Sequence, residues 1–274
     1  MAAAIAGLAA CAGKPGPEAY DALERHLVAQ GGLRLDRAPA DAPFDNAVLA
    51  RDFERIALRR EADVNLPGGD DNVAPGRLRR WSDPVRWRLA GEAATAEDAA
   101  EIAALFDRIA AATGHDVATA KDADPGNFLI LITTPEERPA AARSLRELSP
   151  PLADTFDIWR QSSSVVCAGV LASGAPGASE ISVAFVFIGA EVRGRLRRAC
   201  IEEEIAQAMG LPNDHPQARP SIFNDDQEFA LLTEHDEWLL RVLYDPALRP
   251  GMTAEEAFPL VRSILAKRRP ERRA

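Results

Sequence analysis

No run of about eighteen apolar residues occurs in the 274-residue chain, so the sequence contains no candidate membrane-spanning helix. Positive charge is also short. Thirty-two Lys and Arg against 42 Asp and Glu leave a formal charge of −10, which argues against nucleic acid as a partner. The four histidines, His26, His115, His215 and His235, form no site by spacing. There is no G-x-S-x-G, P-loop, C-x-x-C or Rossmann glycine fingerprint, and so no cofactor is implied. With 47% hydrophobic residues, the chain can still bury a full core, as one large domain plus an appendage.

What remains is organised around Leu196–His215, LRRACIEEEIAQAMGLPNDH. At about 100° per residue, Ile201, Ile205, Ala208 and Met209 share one face of a helix, and Leu196, Cys200, Glu203 and Gln207 the other. Both faces suit protein contact, which predicts a central helix and not an amphipathic surface one. Gly210 suits a helix C-terminus and Pro212 prevents the helix from resuming. Glu203 and Gln207 then lie one turn apart on a shared face.

Upstream, residues 18–31 and 45–60 read as helices and 65–72 as a solvated acidic turn. Val85–Ala90 alternates as a strand, and Thr95 caps a helix carrying Ile102, Leu105, Phe106 and Ile109 that Gly114 closes. Strands follow at 117–119 and 127–133, helical inserts at 135–160, then strands at 164–171 and 181–188. Downstream come a helix at 234–244, a turn carrying Met252, and a last helix at 254–266 capped by Thr253.

The spacing Glu203-Glu204-x-x-Gln207-x-x-Gly210-x-x-Asn213-Asp214 resembles the H-E-x-x-H-x-x-G layout of metzincin zinc proteases, with every histidine ligand replaced. Glu204 occupies the slot of the general base, and Met252 that of the methionine turn. The resemblance implies an α+β, metzincin-like fold: a twisted mixed sheet, a backing helix, a central motif helix, and a small C-terminal helical subdomain. The segment from Cys200 to Met252 also resembles an uncharacterised bacterial lipoprotein family. It shares Glu203 to Asp214, Ser221 to Asp225, Leu243 to Pro246 and Pro250 to Met252 with that pattern.

Leu8-Ala9-Ala10-Cys11 resembles a lipobox, although no basic segment precedes it, and 12–17 would serve as a tether. The expected division is a signal and lipidation site at 1–11, a tether and N-terminal helical region at 12–80, and the metzincin-like domain at 81–274. If Cys11 carries lipid, Cys167 and Cys200 are left either as a disulfide closing about 33 residues or as two buried thiols.

Three readings follow. The first is a non-catalytic binding or assembly protein, lipid-anchored at the periplasmic face of the cell envelope, with an envelope protein, peptide or glycan in its cleft. The second in rank is structural, with Gln207 and Asn213 pinning neighbouring strands. The third is a hydrolase in which Glu203, Glu204, Gln207, Asn213 and Asp214 gather a hard cation. The basic tail 267–273 reads as a solvated C-terminus, or else as a segment lying against anionic lipid.

Overall fold

The structure, a computed structural model, describes residues 14–58, 76–121, 124–175, 177–224 and 226–268. Cys11, the acidic turn at 65–72, Asp225 and most of the basic tail lie outside the described residues. Among those described, eight helices and a mixed sheet make an α+β fold, and no helix is long and apolar enough to cross a membrane.

Two helices, α1 (Pro17–Ala29) and α2 (Asn46–Leu58), precede the sheet. The short strand β1 (Arg80–Trp81) leads into β2 (Val85–Ala90), and α3 (Ala96–Thr113) returns to β3 (Val117–Thr119). Thr95 and Asp98 form a capping box at the start of α3, and Gly114 ends it in the left-handed region at φ 69°. Next come β4 (Phe128–Thr133), the hairpin of α4 (Arg138–Leu148) and α5 (Pro150–Gln161), and β5 (Cys167–Ala172). β6 (Glu180–Ile181) and β7 (Val183–Gly189) lead to the motif helix α6 (Gly194–Ala208), followed by α7 (Glu234–Leu243) and α8 (Ala254–Ala266).

The five-stranded sheet runs β3-β2-β4-β7-β5. Its first four strands are parallel, and β5 pairs antiparallel with β7 at one edge. The two-residue period of a strand sorts the side chains of β4 and β7 between two cores. Phe128, Ile130, Ile132, Ala184, Val186 and Ile188 face the larger core with α3 and α6. Leu131, Phe185 and Phe187 face a smaller one, built on Phe156 and Trp159 of α5 and Leu145 of α4.

The apolar run 181–188 is not one strand. Arg80 and Trp81 pair with Glu180 and Ile181 in a separate two-stranded sheet, while the Ser182 N–H donates to Ala172 O. The strand expected to open at Ser164 opens at Cys167. There the Ser162 hydroxyl accepts the N–H groups of Ser164 and Val165, a local turn that competes with pairing. α2, placed by the sequence in the N-terminal region, packs on α7 and α8 and contributes Leu49, Phe53 and Ile56 to the larger core.

Candidate functional site

α6 is a central helix, and every residue from Ala199 to Ala206 is buried. Both of its ends are held from outside. At the start, the Glu24 carboxylate of α1 accepts the Leu196 N–H at 3.0 Å, an anion placed where the helix dipole favours one. At the end, Trp81 Nε1 donates to Ala208 O and Tyr244 Oη to Met209 O, both at 2.9 Å. Gly210 closes the helix at φ 113°, and a Cβ there would lie 2.4 Å from Arg79 O. The glycine of the motif is thus fixed both by conformation and by the close passage of the chain ahead of β1.

The three consecutive glutamates are all buried, and two of them have clearly different surroundings. Glu202 takes a two-pronged contact from Arg108 of α3 at 3.3 and 3.0 Å, and its Oε2 also accepts the Leu232 N–H at 2.9 Å. Glu204 points toward the edge strand. A Cβ on Gly169 of β5 would stand 2.9 Å from its Oε2, so the bare glycine backbone makes room for this carboxylate. Burial pushes the Glu204 carboxyl up to about 7; the nearby Asp214 carboxylate acts in the same direction and the Gly169 N–H against it. Glu203 is buried between them at 1% exposure.

Beyond the helix, Gln207 Nε2 donates to Asp214 Oδ1 at 3.1 Å. Asn213 turns elsewhere: its backbone N–H and its Nδ2 both donate to Ile56 O, at 3.2 and 2.9 Å, near the C-terminus of α2. Glu204, Gln207 and Asp214 are therefore brought together, while the Asn213 amide is used to finish α2. His215 is buried at 5% exposure, and its backbone N–H donates to Phe223 O at 2.8 Å. That bond folds the 211–224 segment back on itself. Met252 is buried ahead of α8, and its carbonyl accepts the Leu78 N–H at 2.9 Å. Among the described residues, no three His, Cys, Asp or Glu side chains gather as a metal site requires.

Cys167 and Cys200 form a disulfide, with Cα atoms 5.9 Å apart. It ties the first residue of β5 to the middle of α6, on the same side of the sheet where Gly169 and Glu204 meet.

Two features carry no signal in the sequence. The Arg108–Glu202 pair joins residues 94 positions apart, and nothing in E-E-E marks the first glutamate as the paired one. The second is His235. Its Nε2 stands 3.0 Å from Asp52 Oδ2 and its Nδ1 3.3 Å from Asp236 Oδ1, and all three side chains are fully buried. The Thr233–Asp236 capping box starts α7 locally, whereas the partner on α2 lies 183 positions away in the sequence.

The fold and site define a mixed α+β domain built around a buried, carboxylate-rich helix. A family model described as a protein of unknown function, DUF2927, matches residues 46–263, from the first residue of α2 into α8, and the chain belongs to that family. No curated protein and no solved structure matches it.

Proposed function

We propose that this is an envelope-tethered lipoprotein whose metzincin-like frame serves a non-catalytic binding or assembly role. The observation that carries this reading is the employment of the motif's side chains. Asn213, in the slot of the third metal ligand, donates both of its N–H groups to α2, and Gln207 is engaged with Asp214. Each amide is thereby fixed in orientation by a different protein partner, Asn213 by α2 and Gln207 by Asp214. The order of sheet, backing helix α3, motif helix, glycine turn and methionine turn supports the metzincin-like part. The edge strand β5 supports the binding part, since an extended peptide can pair with an edge strand through backbone groups other than the Gly169 N–H, which Glu204 takes. The lipid anchor rests on the lipobox-like Leu8 to Cys11.

A second reading is favoured by one observation. A buried carboxyl that titrates near 7, as Glu204 does, suits general acid–base work at neutral pH, so this side chain is where a hydrolase activity would reside.

The test has two arms. Labelled fatty acid should attach to the wild type, expressed with an intact export signal, and not to Cys11→Ser. Equal labelling of both would end the lipoprotein reading. Chelator-sensitive cleavage of a peptide library, abolished by Glu204→Gln, or about one equivalent of zinc per chain after dialysis, would overturn the non-catalytic reading in favour of the hydrolase.

A further inference from the structure

We propose that the proton held on His235 locks the turn that follows the motif helix, making residues 213–215 a proton-controlled wall of the candidate site. The inference rests on the proposed function only in treating that turn as part of a binding site.

The argument starts from valence. A neutral imidazole carries one N–H, yet both ring nitrogens of His235 face carboxylate oxygens, Asp52 Oδ2 and Asp236 Oδ1. Neutral His235 would set a lone pair against an anion in a site without solvent, so the geometry calls for the imidazolium. The carboxylate oxygens are themselves engaged by other donors. Asp236 Oδ1 accepts the Ser221 hydroxyl at 2.5 Å, and Oδ2 accepts the N–H groups of Ile222 at 3.0 Å and Thr233 at 2.9 Å. Asp52 Oδ1 accepts Arg51 Nε at 2.7 Å. From the remaining side, the Phe44 ring meets the imidazole edge to face at 5.2 Å, and the Arg268 guanidinium lies over the Phe44 ring at 5.0 Å. Burial alone would lower the proton affinity of His235, but the two carboxylates outweigh it and raise it above the ordinary 6.5. Burial likewise works against ionised Asp52, and the contacts from His235 and Arg51 more than offset it.

The proton joins two arms that end at the same place. Asp52 lies one helical turn before Ile56, whose carbonyl holds Asn213. Asp236 holds Ser221 and Ile222, the Ser221 hydroxyl accepts the Phe223 N–H at 3.1 Å, and Phe223 O holds the His215 N–H at 2.8 Å. Loss of the proton leaves two buried carboxylates facing each other across a neutral ring. Separation of α2 from α7 relieves them, and it pulls the attachments of Asn213 and His215 apart.

The sign follows from the direction. A histidine whose proton affinity is raised by folding contributes stability that is fully present below the unfolded value, and that is lost as pH rises through the folded one. The turn is therefore locked below about 6.5 and released as pH rises through the higher value of the folded state.

The test follows the ring carbons of His235 by NMR in the full chain. In parallel, it measures hydrogen exchange at the Asn213 and His215 amides, corrected for base catalysis. The expected result is a midpoint above 6.5, with protection of both amides falling roughly tenfold or more through it. Asp52→Asn should lower the midpoint and Arg51→Gln should raise it, because Arg51 competes for the same carboxylate. Titration of the ring at or below 6.5, or protection that stays level through the midpoint, would overturn the proposal on the wild type alone. Neither readout depends on a bound partner, so failure of the binding role and failure of the lock are separate results.

Discussion

Glu204→Gln isolates the cost of a buried carboxylate in the motif helix. The glutamate lies against Gly169 at 3% exposure, and its carboxyl is pushed from the ordinary 4.5 to about 7. At about 1.4 kcal/mol for each tenfold change in proton affinity, that difference is worth about 3 kcal/mol. The folded chain binds the proton more tightly than the unfolded chain does. Stability from this group is therefore greatest below about 4.5 and falls as pH rises through about 7. Glutamine has the same shape, keeps an oxygen for the Gly169 N–H and never ionises. The variant should match the wild type near pH 4 and exceed it by about 3 kcal/mol near pH 8, on the order of a hundredfold in the folding equilibrium. Urea unfolding of both proteins across that range measures it. A stability difference that is independent of pH would show that Glu204 does not titrate in a buried environment, and would remove the electrostatic basis of the hydrolase reading as well.

Reduction of the Cys167–Cys200 bond, which spans a sequence separation of 33, should cost roughly 3–4 kcal/mol by loop entropy. Denaturant melts with and without reductant read this, and quantitative alkylation of both thiols in oxidised protein would contradict the bond. Asn213→Ala removes a buried amide from Ile56 O and should destabilise by about 1–3 kcal/mol without abolishing folding. A change within about 0.5 kcal/mol would mean that the amide is not structurally committed to α2.

Much of the fold was legible wherever one segment carried its own signal. The strand Val85–Ala90 and the helix Ala254–Ala266 fall where alternation and the Thr253 cap place them. Cysteine count and placement allowed either a disulfide or two buried thiols, and the disulfide is the one formed. Illegible features were those decided by a distant partner. The apolar run 181–188 gives no hint of its break at Ser182, because β1, a hundred residues earlier, draws its first residues into another sheet. Likewise the i, i+4 spacing singled out Glu203 and Gln207, but the fates of the glutamates depend on Arg108 and Gly169. Asn213 aligned with a ligand slot by spacing alone, and the carbonyl that claims it belongs to a helix outside the motif.

The absence of a solvent-facing row on the middle of α6 has a consequence for how such a protein can diverge. From Ala199 to Ala206 each position is buried, and a substitution there meets packed neighbours on whichever side it points. A lineage in search of a new recognition property gains little by altering that helix. The freedom lies in the segments that border it, the exposed loop between β5 and β6 and the outer positions of 211–224, where side chains can change without repacking the interior. New recognition properties would accordingly arise around the helix and not on it.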